Sequence, residues 1–83
     1  MSEQIRTRRT TTEAIMRRPN FERGLNDVRS GRSFDWRIDD WAYERGRLFG
    51  HIAPITMPLW IDGQLNRKAV ALCHAAFNRG LMI

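Results

Sequence analysis

Cys73 and His74 are the residues of this 83-residue chain that most invite a catalytic reading, a thiol beside an imidazole. Consecutive helix positions project about 100 degrees apart, so the two cannot work together as nucleophile and base. Adding His51 gives three metal-binding side chains but no fourth ligand and no recognised spacing. Asp39 and Asp40 offer adjacent carboxylates, yet neighbours at a helix start point apart and no third group accompanies them. Their expected role is capping, where a carboxylate complements the positive end of the helix dipole. Gly24, Gly31, Gly46 and Gly50 are scattered rather than gathered into a phosphate-cradling loop. The expectation is a protein without enzymatic activity, cofactor or metal.

The chemistry that the sequence does carry is that of arginine. The net charge is +5, and Lys68 is the single lysine among fourteen basic residues. A guanidinium pairs bidentately with phosphate or carboxylate and stacks on flat rings. Arg23, Arg29 and Arg32 lie on or beside one predicted helix, and Arg37, Arg45 and Arg47 on or beside the next. Trp36, Trp41 and Tyr43 interleave with them. Arginines with interspersed aromatics suit RNA or single-stranded nucleic acid, where phosphates pair and bases stack. The expected binding set is Arg23, Arg29, Arg32, Arg37, Tyr43, Arg45 and Arg47, joined by Arg8 and Arg9 from the N-terminal stretch. Of the three aromatics, Tyr43 is expected to face outward; Trp41 stands at core spacing, and Trp36 has a competing place as a plug for the hinge.

Two helices hinged at Ser30-Gly31-Arg32-Ser33 must position these residues. Phe21, Leu25 and Val28 fall at i, i+4 and i+7, which predicts a helix from about Phe21 to Arg29 with Asn20 as its cap. Gly31 is placed to end it in the left-handed conformation. Trp41, Leu48 and Phe49 repeat the pattern at i, i+7 and i+8, with Asp35 or Asp39-Asp40 as the start. Gly24 and Gly46 sit inside these helices, where glycine costs about 1 kcal/mol relative to alanine. That cost points to a close approach of two backbones, or of a partner to one of them.

Residues 1–19 form a basic arm in which Thr10 and Glu13 are spaced as a capping box for a short turn through Ala14, Ile15 and Met16. Pro19 is expected to stop that turn. Residues 20–83 are expected to make one small helical domain, near the lower size limit for a sufficient core. Pro54 and Pro58 keep the segment after Gly50 extended. It reads as an irregular strap, with a very small hairpin turning at Asp62-Gly63 as the competing reading. A last helix follows, capped by Asn66, with Ala69, Leu72, Cys73, Ala76 and Phe77 as its apolar stripe. Gly80 ends it, and Leu81 is placed to fold back on Ala76 or Phe77. The fold class expected is all-α: a helical hairpin plus an extended strap and a C-terminal helix. One cysteine excludes an internal disulfide framework. No apolar run is long enough to span a membrane, and the polar, charged N-terminus is unlike a signal peptide. A cytoplasmic location without membrane contact is therefore expected.

At the hinge the chain resembles the ribosome modulation factor family and its small bacterial and phage relatives. The resemblance is carried by Arg23-Gly24, by Gly31-Arg32-Ser33 and by Trp41 with Gly46, over roughly residues 21 to 50. It implies a compact helical hairpin and, as in the type member, binding to ribosomal RNA. Phe34-Asp35-Trp36 stands where the family carries a Cys-Pro-Tyr-like element, and residues 51–83 have no counterpart in the type member. The expected function is a non-enzymatic binder of RNA or a ribonucleoprotein that modulates a host machine such as the ribosome. Two alternatives stand beside it. One is a phage or mobile-element inhibitor docking on a host or defence protein complex, such as RNA polymerase or a CRISPR effector. The other is a helix-turn-helix-like DNA binder presenting Arg67, Lys68, Ala71, Asn78 and Arg79.

Overall fold

The computed structural model describes residues 11–80. Among them are four helices, α1 (Thr12–Met16), α2 (Pro19–Arg29), α3 (Trp41–Ile52) and α4 (Arg67–Asn78), and two short strands, β1 (Trp60–Ile61) and β2 (Gln64–Leu65). The helical hairpin and the C-terminal helix are as expected, and the two-stranded antiparallel sheet is an addition to an otherwise all-α plan.

The hairpin of α2 on α3 is made possible by two glycines. A Cβ on Gly24 would overlap the Tyr43 carbonyl and come within 2.9 Å of the Arg47 amide nitrogen. A Cβ on Gly46 would overlap the Phe21 carbonyl group and lie 3.0 Å from the Phe21 Cα. Each glycine thus faces the other helix's backbone, and this contact offsets the helix-propensity cost of both. Phe21 and Phe49 meet beside the crossing, with ring centroids 5.7 Å apart.

That contact fixes which face of α3 points inward. Ala42, Tyr43, Gly46 and Phe49 are buried, whereas Trp41 and Leu48 are each 43% exposed. The i, i+7 pair expected in the core therefore lies about one residue off the true face. Close packing selects the small residues Ala42 and Gly46, which turns the two larger ones toward solvent.

The ends of the helices follow local chemistry. Asp40 caps α3 by accepting from the Ala42 amide at 2.9 Å. Asn66 caps α4 by accepting from the Lys68 amide at 3.1 Å, and its side-chain NH2 donates to the Pro58 carbonyl. Gly31 and Gly80 adopt φ of 74° and 75° beyond α2 and α4, as expected of helix terminators. Leu81 lies outside the described residues. Asn20 does not cap α2. That helix starts two residues earlier than expected, with Arg18 as N-cap and Pro19 in the first turn, where the missing N–H is no loss. Asn20 instead donates to Asp40 Oδ2 at 2.9 Å, tying α2 to the start of α3.

The N-terminal boundary also moves. Thr11, not Thr10, caps α1, accepting from the Ala14 amide at 3.0 Å. Ile15 and Met16 are buried in the main core. Residues 12–16 thus belong to the domain rather than to an arm ending at residue 19. Helix α1 is also held to α4, through an ion pair of Glu13 with Arg67 at 3.3 Å and a 3.1 Å contact of the Thr12 hydroxyl with His74 Nδ1.

The strap expected after Gly50 gives way to the hairpin at residues 60–65. Asp62 and Gly63 take φ of 52° and 79°, a primed turn, and pair Trp60 with Leu65 and Ile61 with Gln64. So small a hairpin is marginal alone. Here Leu59 and Leu65 are buried in the core with Ala69 and Cys73 of α4, and this burial holds the turn in place.

Candidate partner-binding site at the hinge

Between Arg29 and Trp41 the chain has no helix or strand, yet its backbone is pinned on several sides. The Tyr43 hydroxyl accepts from the Asp35 amide at 3.1 Å and donates to Asp27 Oδ2 at 2.7 Å. Arg47 Nη1 donates to the Arg32 carbonyl at 3.1 Å, and the Arg32 amide donates to the Asp27 carbonyl at 2.7 Å. One tyrosine and one arginine of α3 therefore hold the connection, which is more than the plain hinge that the spacing predicts.

Tyr43 is consequently not a surface residue. It is fully buried, with Asp27 beside it only 4% exposed. The expectation that it faces a partner is overturned because its phenol satisfies a buried carboxylate, which would otherwise be costly to bury. The hydroxyl's hydrogen bond holds the Asp27 carboxyl below its usual range despite the opposing effect of burial, and Arg23 at 3.3 Å acts in the same direction.

The remaining expected residues divide by what they touch. Arg37 donates to both oxygens of Asp35, at 3.0 and 3.1 Å, and Arg23 reaches Asp35 Oδ2 at 3.2 Å. Hydrogen bonds from Arg37, first its side chain and then its backbone amide, hold the Asp35 carboxyl down at about 2. Arg32 is exposed on the same rim. Together with Trp36 these arginines line a shallow concavity at the hinge. Arg23 and Arg37 also wall a second concavity that reaches Trp41. The structure thus brings Arg23, Arg32 and Arg37 together, with Arg47 behind them.

Arg29 and Arg45 are elsewhere. Arg29 Nη2 donates to the Pro54 carbonyl at 3.0 Å, fastening the segment after α3. Arg45 lies over the Trp41 ring, 4.8 Å from its centroid, with Arg18 at 5.6 Å. Arg8 and Arg9 lie outside the described residues.

Comparison with protein-family models, curated proteins and solved structures finds no significant match. The likeness to ribosome modulation factor therefore rests on the residues that carry it. Of these, Gly24 and Gly46 form the helix crossing, while Gly31 and Arg32 shape the hinge.

Trp36 is the site residue that sequence reasoning undervalued. It does not plug the hinge: it is 86% exposed, between the equally exposed Arg37 and the half-buried Phe34 and Asp35. A signal was present in Asp35 itself, flanked by basic and aromatic residues and able to bond the amide of Arg37 two positions on, an Asx-type turn that throws Trp36 outward.

The chemistry available elsewhere is slight. Burial pushes the Cys73 thiol up to about 12, which leaves it unreactive at neutral pH. His74 is exposed beside Thr12, on the opposite side of that helix position from the core. Among the described residues no group of three or more His, Cys, Asp or Glu is placed to hold a metal, and no helix is long and apolar enough to cross a membrane.

Proposed function

We propose that the protein is a non-enzymatic binder of RNA or a ribonucleoprotein, acting as a modulator of a host machine such as the ribosome through its hinge face. The observation that carries this reading is the convergence of Arg23, Arg32 and Arg37 on one pinned rim beside an exposed tryptophan. Asp35 orients Arg23 and Arg37 from within, so the guanidinium groups are pre-positioned rather than free to wander. Preorganisation of this kind lowers the entropy lost on binding.

A protein partner is the second reading, that of a phage or mobile-element inhibitor of a host or defence complex. It is favoured by exposed Leu48, Ile55 and Ile61, which serve no function in phosphate binding. Reading of DNA by α4 has less support. Helix α1 is fastened to α4 at Arg67 and His74, and the outward positions Ala71 and Ala75 have no groups to read base edges.

The deciding experiment is capture on the immobilised protein from a bacterial lysate, with and without nuclease, followed by binding of purified ribosomal RNA at several salt concentrations. The RNA reading expects nuclease to release the captured material. It also expects Arg32→Ala and Arg37→Ala each to lower the salt slope by about 0.7–0.9. Capture that survives nuclease and tolerates both substitutions would favour the protein partner.

A further inference from the structure

Three aromatic or cationic groups at the hinge form a short ladder. Arg47 lies over the Phe34 ring at 5.6 Å, and Phe34 in turn packs on Trp36 with centroids 4.6 Å apart and planes tilted by 47°. Phe34 also meets Tyr43 edge-on at 5.3 Å. The ladder is therefore anchored at its inner end in the buried Tyr43–Asp27 pair and is open at its outer end, where Trp36 is 86% exposed. A flexible loop would let such a ring fold down onto apolar surface. Here Asp35 cannot move, because its amide is held by Tyr43 and its carboxylate by Arg23 and Arg37.

We infer that the open face of Trp36 is a stacking platform for one unpaired base of a single-stranded RNA segment, with Arg32 and Arg37 taking the flanking phosphates. This deepens the RNA reading above and rests on it. The ladder supplies the next rung in kind, since a nucleobase extends a run of flat rings as well as another side chain would. Both nearby carboxylates are paired, Asp35 with two arginines and Asp27 with Tyr43 and Arg23, and the positive charge of Arg23, Arg32 and Arg37 exceeds their negative charge, so the rim stays attractive to a phosphate. Arg37 uses Nε and Nη2 on Asp35, which leaves Nη1 for an incoming phosphate. A base inside a duplex is stacked on both sides and cannot reach an isolated ring, so the platform selects strandedness rather than sequence.

The test uses a fluorescein-labelled RNA of mixed sequence, about 12 nucleotides long and without self-complementarity, alone and annealed to its complement. Binding of the full chain is followed by anisotropy for the parent, Trp36→Ala, Trp36→Phe and Arg37→Ala. Because Trp36 is so exposed, its substitution is expected to leave the melting temperature unchanged, which is checked first. The platform predicts that Trp36→Ala weakens single-strand binding roughly 5- to 150-fold. The same variant should leave duplex binding and the salt slope alone, and Trp36→Phe should retain most of the affinity. Arg37→Ala should instead lower the salt slope on either RNA. If the parent binds RNA but Trp36→Ala binds the single strand equally well, the platform is overturned while the RNA reading stands. If the parent binds neither RNA, both fall together. If Trp36→Ala abolishes capture of a partner that survives nuclease, the ring serves a protein surface and the inference is wrong.

Discussion

The Tyr43 hydroxyl stands 2.7 Å from Asp27 Oδ2, joining the last turn of α2 to the first turn of α3 inside the protein. The same oxygen accepts from the Asp35 amide, so one atom ties both helices to the connection between them. A tyrosine in this position does for the hinge what a longer apolar contact does elsewhere, at the cost of burying a carboxylate.

Tyr43→Phe is accordingly expected to destabilise the domain by about 1–3 kcal/mol, because it leaves Asp27 and the Asp35 amide short of a partner. Urea denaturation followed by circular dichroism measures this. A variant with the parent's midpoint would mean that water replaces the hydroxyl without loss.

Acid should unfold the protein through this cluster and through the Asp40 cap of α3. Asp27, Asp35 and Asp40 all have folded-state pKa values below their ordinary value of 3.8, and Asp35 lies at about 2. A depressed carboxylate contributes stability that is fully present above its unfolded pKa and is lost as pH falls through the folded one. Melting temperature should therefore hold steady down to about pH 4 and then drop toward pH 2. Asp35→Asn should flatten part of that drop. An unchanged slope in this variant would remove Asp35 from the account.

Gly24→Ala and Gly46→Ala are each expected to cost roughly 1–3 kcal/mol or more, since the added methyl meets backbone rather than a movable side chain. Thermal melts of the two variants provide the check. Parent-like melting in both would show that α2 and α3 can separate without penalty.

Much of this hairpin was legible beforehand, and the reasons for the misses are specific. Phe21 and Leu25 share a face because a helix repeats every 3.6 residues, and that periodicity depends on nothing beyond α2. The face of α3 was misplaced because large apolar residues were weighed above small ones. Gly46 already marked the crossing, and Ala42 and Phe49 share its face, so reading outward from the glycine recovers the buried set. Asn66 and Asp40 were readable as caps because a cap is satisfied within three residues. Tyr43 was not readable in this way. Its partner Asp27 lies 16 residues away, and only the folded hairpin brings them together. The surface arginines posed the same difficulty: composition counts them, but only the structure separates Arg29, which fastens a backbone carbonyl, from Arg37, which stays at the rim.

Met16→Ala should cost about 2–5 kcal/mol, as expected for a fully buried side chain, although it falls in a stretch dominated by arginine and threonine. Removal of residues 1–18, which takes away α1, should lower the urea midpoint. A Met16→Ala variant as stable as the parent would return α1 to the status of an appended arm.

The pairing of Thr12 with His74 and of Glu13 with Arg67 spans 62 and 54 positions of sequence. During synthesis, α1 leaves the ribosome before α2 and α3, and α4, the helix it is fastened to, follows both of them. The α2–α3 hairpin can close as soon as its own residues are out, since its contacts are local. Ile15 and Met16 also lie against α2 and α3, so the hairpin covers part of their apolar surface and α4 completes the cover; Arg17 and Arg18 follow them directly in the sequence. The two arginines that follow this early segment thus acquire a use before the protein is finished: exposed charges beside an apolar turn are expected to keep it in solution until α4 completes its cover.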